Sequence, residues 1–241
     1  MCLIYVSSFC TSFNFRPSLK GMVRKGNNVL QICKQLAAVK NLNDEETIEN
    51  LTVMREAMGV LQHHDAVSGT AKQAVTFDYA QRLHAGFLSC ENVISKAVQK
   101  EFDSVLDQNF QFCHLLNISQ CHVTEESDKF VVSIYNPLPR EISRPIRLPV
   151  KSGSYAVSKL SEDENSTVQS QLIKLPRSIL LIPGRRSHAT HELVFIAAKI
   201  PSMGTQMYHI EKQSGRINKR QMSKSFVVNY LIILIYLVQY K

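Results

Sequence analysis

The residues best suited to chemistry in this 241-residue chain are Gln62-His63-His64-Asp65, which run straight into Ala66-Val67-Ser68-Gly69-Thr70. They stand where a helical pattern meets a Ser/Gly turn, and helix ends and loops are where side chains converge on ligands. Neutral imidazole together with carboxylate is a donor set that suits zinc. Neighbouring residues on a helix point in different directions, so at most one of the two histidines is expected to share an ion with Asp65. The plainer reading is a capped helix end with solvated histidines. Other reactive residue types are scattered. His84, His188 and His191 stand alone, and Asp163 with Glu164 lies in a polar turn. Ser68-Gly69 lacks the flanks of a nucleophile elbow. Arg185-Arg186 beside Pro183-Gly184 reads as a loop rather than a phosphate site.

Helices must position the motif. Pro17 suits a first helical turn, and Leu19, Val23, Leu30, Cys33 and Ala37 keep a loose helical period to about Ala38. Asn43 with Glu46 three residues later reads as a capping-box variant. Ile48, Leu51, Arg55, Met58 and Leu61 then follow one face to the histidines, apolar apart from Arg55. A third helix is expected from near Thr70 to about Phe102. Its stripe is Val75, Tyr79, Leu83, Cys90, Ile94 and Ala97, with Gly86 as the weak point. Three such helices with short connections make a bundle. Cys33 and Cys90 could staple the first helix to the third, or stay buried as reduced thiols.

After Cys121 the pattern turns to short strands. Phe130–Tyr135 is β-branched and aromatic and stops at Asn136-Pro137. Ile146–Val150, Tyr155–Val157, Leu172–Leu175, Ile179–Ile182, Leu193–Ala197 and Met207–Ile210 follow, punctuated by Pro and Gly. Strands at this spacing read as an antiparallel sandwich. The fold class is therefore α+β: a three-helix bundle followed by a partial antiparallel β-sandwich.

Composition narrows the function classes. Hydrophobic content of 44% and charged content of 20% fit a globular chain. Of the net charge of +8, residues 211–241 carry +5, from six Lys and Arg against one Glu. The basic excess is a tail property, and no basic run interleaved with aromatics marks a nucleic-acid partner. Six cysteines without a C-x-x-C speak against zinc-ribbon and thioredoxin-like readings. Cys113 and Cys121 bracket the sequon Asn117-Ile118-Ser119, and Asn50-Leu51-Thr52 and Asn165-Ser166-Thr167 are two more. Three sequons, one inside a tight Cys-to-Cys loop, tilt the chain toward the secretory pathway. Met1–Phe9 is apolar but has no basic region or convincing cleavage site of a signal peptide. The apolar run Phe226–Val238 is 13 residues long, short of the roughly 20 that span a bilayer. It suits a buried strand or a partner-seeking segment equally.

Several stretches together resemble a known family. Gln62–Thr70, preceded by Arg55-Glu56-Ala57-Met58, resembles the signature of family 38 α-mannosidases. Arg16–Lys20, Leu30–Cys33, Asp78-Tyr79-Ala80 with Leu83, Phe112–Cys121 and Tyr135-Asn136-Pro137-Leu138 resemble further parts of that family. The likeness covers roughly residues 13–210. It implies residues 1–12 unassigned, a helical domain over 13–122, the start of a C-terminal β-sandwich region over 123–210, and a divergent tail over 211–241.

The resemblance implies a retaining, zinc-dependent exo-glycosidase acting on α-linked mannose of N-glycans, with two catalytic carboxyl groups. His64 matches the family's histidine zinc ligand, and Asp65 the carboxylate that bonds mannose hydroxyls. His63 is not carried over as a ligand. Cys33 with Cys90, and Cys113 with Cys121, would reproduce two family disulfides, with Asn50, Asn117 and Asn165 as glycosylation candidates. Localisation by family is lysosomal or secretory. The nucleophile, the acid/base and three of the four zinc ligands have no counterpart in this chain, so it is expected to be inactive alone. The competing expectation is a non-catalytic module that binds glycans or associates with a full-length homologue.

Overall fold

The computed structural model describes residues 16–101, 110–160 and 166–213, with the backbone of 231–235. These fall into two compact units, helices up to residue 101 and strands from residue 110 onward. The architecture is α+β.

The first unit holds α1 (Pro17–Val39), α2 (Glu45–Val60), α3 (His64–Ser68) and α4 (Gln73–Glu101). Pro17 occupies the first turn of α1, where its missing N–H removes no helical bond. The cap of α2 is Asp44 and not Asn43: its carboxylate accepts Thr47 N–H at 3.1 Å and Thr47 Oγ1 at 2.9 Å. Lys96 of α4 donates to the same carboxylate at 2.7 Å. The Lys96 ammonium and the Thr47 hydroxyl hold the Asp44 carboxyl well below the usual range. A neutral Asn43 amide could not attract that ammonium in the same way.

The buried face of α2 is Thr47, Leu51, Met54, Ala57 and Met58. Ile48, expected inside, is 53% exposed. The face is turned because α4 presses closely on Met54. A Cβ added to Gly86 of α4 would lie 2.5 Å from Met54 Sδ and 3.2 Å from Met54 Cα. Gly86 is therefore the place where two backbones approach, not a weak point. Cys33 of α1 and Cys90 of α4, both fully buried, are paired with their Cα atoms 5.8 Å apart.

The second unit holds β1 (Phe110–Phe112), β2 (Lys129–Tyr135), β3 (Ile142–Val150), β4 (Ser154–Leu160), β5 (Ser166–Val168), β6 (Ser170–Lys174), β7 (His191–Ile200), β8 (Thr205–Gln213) and β9 (Leu231–Ile235). It also holds the short helices α5 (His122–Glu126) and α6 (Arg177–Leu180), and a 3₁₀ turn at Leu116–Ile118. One sheet has the order β1-β9-β2-β8-β4-β5 and the other β3-β7-β6. Phe130, Val132, Ile134, Tyr208 and Ile210 of the first share one core with Ile146, Leu148, Leu193, Phe195 and Ala197 of the second. The rings of Phe195 and Tyr208 meet across it at 5.0 Å. Pro145 and Pro149 interrupt β3 without penalty because β3 is an edge strand with β7 as its one neighbour.

Two differences from sequence expectation concern the strands. Ile179–Ile182 does not join a sheet: Pro176 caps the four-residue helix α6, and Leu181 points to solvent. A short apolar run cannot be told from a helix turn by period alone. The run in the tail supplies β9, which pairs parallel to both β1 and β2. The sheet is thus mixed, and strand pairing unites segments some hundred residues apart.

Turns are fixed by polar side chains. Buried Asn136 donates to Arg140 O, Ile200 O and Pro201 O at 2.8–3.2 Å and accepts Leu138 N–H at 3.0 Å. Arg185, read as a plain loop residue, donates to Ile118 O, Ser119 O and Ala189 O at 2.8–2.9 Å. Buried Glu125 accepts from Cys121 N, Ser187 Oγ and His188 N at 2.7–2.9 Å. Together they stitch the 185–189 segment to the loop closed by Cys113 and Cys121, whose Cα atoms lie 5.2 Å apart. This loop therefore packs with the strands.

Burial of His209 in β8 lowers its imidazole from the ordinary value, with Lys129 adding to the shift and Glu211 opposing it. The unfolded chain then takes up the proton first. Stability is full above the unfolded value of roughly 6.5 and falls as pH drops below it. Urea denaturation at successive pH values is expected to show this loss between neutral and mildly acidic pH. His209→Gln should flatten it; an unchanged slope in that variant would refute the assignment.

Candidate metal centre

The His-His-Asp motif sits on α3, a single turn between two long helices. α2 ends at Val60, and Leu61, fully buried, anchors the chain there. His63 is the residue before α3, with extended backbone at φ −54° and ψ 142°. His64 opens the helix and Asp65 follows in its first turn. Ala66, buried, pins the inner side. Gly69 ends the turn in a left-handed conformation at φ 85°, which a side chain would resist.

This arrangement removes the objection that neighbouring helical residues diverge. His63 lies outside the helix, so its ring turns back beside that of His64, centroids 4.1 Å apart. His63 Nε2 lies 3.4 Å from Asp65 Oδ2, and His64 Nε2 3.7 Å from Asp65 Oδ1. Each imidazole thus faces a different oxygen of the same carboxylate. One potential donor atom from each of the three residues falls within 4.8 Å of the others, and among the described residues this is the group that could hold a metal ion. The side chains are open to solvent: His63 is 48% exposed, His64 83% and Asp65 45%.

Two partners of the motif were not singled out by the sequence pattern. Thr70 Oγ1 donates to Asp65 Oδ1 at 2.9 Å. That hydroxyl, ahead of the nearby His64 and His63, keeps the Asp65 carboxyl below its usual value and hence ionised. Arg16, from the start of α1, donates to Gly69 O at 3.2 Å and Ala71 O at 2.9 Å, and to Gln73 Oε1. It ties the segment after the motif to α1 across more than fifty residues, a contact that no local pattern reveals.

The sequon residues differ in setting. Asn117 is exposed on the 3₁₀ turn of the Cys113–Cys121 loop. Asn50 is half-buried in the middle of α2, and the Thr52 hydroxyl of its sequon donates to Ile48 O at 2.8 Å. Asn165, with Asp163 and Glu164, lies outside the described residues. His84 is exposed, and His191 Nδ1 pairs with Thr190 Oγ1 at 2.8 Å.

The segment that carries this motif matches the α-mannosidase middle domain over residues 9–100. The chain is similar to α-mannosidases. The chain is 38% identical over 207 residues to lysosomal α-mannosidase of Mus musculus, covering 84% of this chain and 19% of that protein. It is 35% identical over 201 residues to lysosomal α-mannosidase of Homo sapiens, covering 82% of this chain and 19% of that protein. The chain thus spans about a fifth of the length of these curated α-mannosidases. A glycosyl hydrolase family 38 protein of Enterococcus faecalis overlays with a TM-score of 0.41 at 12% identity, over 88% of this chain and 26% of that one. An overlay that loose carries no argument. Among the described residues no helix is long and apolar enough to cross a membrane.

Proposed function

We propose that this chain contributes one wall of the active site of a zinc-dependent, retaining α-mannosidase, His64 serving as a metal ligand and Asp65 as an acceptor for mannose hydroxyls. The observation that carries the reading is the ion-sized grouping of His63, His64 and Asp65 inside the segment of α-mannosidase type. A bound zinc would polarise sugar oxygens and stabilise charge developing in the transition state. Of the chain's own residues, Asp65, ionised, accepts hydrogen bonds from sugar hydroxyls, and the open face of α3 leaves room for a sugar. Retaining chemistry needs two carboxyl groups about 5 Å apart, and these belong to parts of the family's catalytic domain that this chain does not match. Helices α1, α2 and α4 correspond in this reading to the family's helical bundle, and the two sheets to the start of its β-sandwich region. The substrates are mannose-bearing N-glycans. The two cysteine pairs, the exposed Asn117 and the lysosomal relatives support a secretory or lysosomal route.

Titration of zinc into the purified chain tests the reading. One weak site is expected, lost in His64→Ala; an unaltered isotherm in that variant would overturn the ligand assignment. No turnover of an aryl α-mannoside is expected from the chain with zinc present. Turnover abolished by His64→Ala or Asp65→Ala would overturn the expectation of inactivity.

A further inference from the structure

We propose that Thr70 is a positioning residue for Asp65, acting through a hydroxyl relay that begins at Ser68. The inference rests on the reading of Asp65 as a ligand-binding group, and deepens it. Gly69, in its left-handed conformation, turns the chain back so that residue 70 returns to the carboxylate two positions into α3. Gly69 N–H and Ala71 N–H both donate to Asp65 O, at 3.1 and 3.3 Å, which locks that return.

The direction of each hydrogen follows from chemistry. An ionised carboxylate only accepts, so the Thr70 hydroxyl proton goes to Asp65 Oδ1 at 2.9 Å. Thr70 Oγ1 is then left as the acceptor for Ser68 Oγ–H at 2.8 Å. Ser68 Oγ in turn accepts Thr70 N–H at 3.4 Å. The relay Thr70 N–H to Ser68 to Thr70 Oγ1 to Asp65 has one consistent polarity, and hydrogen bonds in such a chain polarise one another. With Oδ1 engaged, Oδ2 is the oxygen turned toward His63 Nε2 at 3.4 Å. Without the hydroxyl, an exposed Asp65 would sample several rotamers, and the ion-sized spacing would be lost for most of the time. Thr70 is exposed, so its replacement leaves the packed parts of the fold untouched.

The test compares Thr70→Val, which keeps the shape and loses the hydroxyl, with Thr70→Ser, which keeps the hydroxyl. Zinc affinity of the full chain is expected to fall about tenfold in Thr70→Val, the lower end for loosening a carboxylate that supports a metal-ligating histidine, here His64 at 3.7 Å from Asp65. Thr70→Ser should stay within about twofold of the parent, with the thermal melts of all three chains alike. Scalar couplings between Hα and Hβ of Asp65, measured without metal, should report one rotamer in the parent and in Thr70→Ser, and an average in Thr70→Val. Affinity and couplings in Thr70→Val equal to the parent's would overturn the proposal, as would Thr70→Ser behaving like Thr70→Val. A parent chain that binds no zinc would defeat the metal reading instead, and the couplings would still decide the role of Thr70.

Discussion

Replacing Cys33 and Cys90 together by alanine is expected to lower the unfolding free energy by about 4 kcal/mol under non-reducing conditions. The pair closes a loop with a sequence separation of 57 residues, and the chain-entropy model assigns a loop of that size about 4 kcal/mol. The same model gives about 2.5 kcal/mol to Cys113–Cys121, whose separation is 8. The ordering of the two double variants is therefore a sharper test than either value alone. Total stabilities of domains are about 5–15 kcal/mol, so loss of the longer link takes a large share. Urea denaturation of the parent and both double variants reads it. A loss below about 1 kcal/mol for Cys33/Cys90, or the reverse ordering, would mean that these thiols are not linked in the folded protein.

Gly86→Val is expected to cost about 3 kcal/mol, at the upper end for overpacking a closed core. On helix propensity alone, replacing this mid-helix glycine by any residue other than proline should help by up to about 1 kcal/mol. Packing reverses the sign. The new Cβ would lie 2.5 Å from Met54 Sδ and 3.2 Å from the backbone Cα of Met54, and Met54 is fully buried. Gly21 of α1 is the control, because nothing lies within 4 Å of a Cβ added there. Gly21→Ala should stabilise by up to about 1 kcal/mol. Chemical denaturation of the two variants gives opposite signs if the α2–α4 approach is as close as described; a stabilising Gly86→Val would contradict it.

These contrasts mark what one-dimensional pattern can carry. Of the stripe Leu19, Val23, Leu30, Cys33 and Ala37, all but the half-buried Val23 are buried as the period requires, because a straight helix repeats its apolar face regularly. The second stripe holds at Leu51, Met58 and Leu61 but misled at Ile48. Ile48 and Arg55 fit a helical face as well as Thr47 and Met54 do, and only contact with α4 selects between them. Likewise Ile179–Ile182 has the composition of a strand, but no ladder partner lies beside it among the described residues. Its neighbour Arg185 was legible as nothing more than a charged loop residue, since its carbonyl partners stand some 66 residues earlier.

The site divides in the same way. The sequence by itself determined the residue types, the turn after them and the family to which the motif points, because His63-His64-Asp65 and Ser68-Gly69-Thr70 are contiguous. It also determined that helices precede strands, since apolar period and turn residues are local properties. Tertiary structure decided how the donors converge. The extended backbone at His63 brings both imidazoles to Asp65, Thr70 folds back to hold its carboxylate, and Arg16 reaches over from α1 to brace the following segment. It also decided that a distant tail strand enters the sheet parallel to β2. Pairings of that kind depend on which surfaces meet after the chain has collapsed, and no local spacing encodes them.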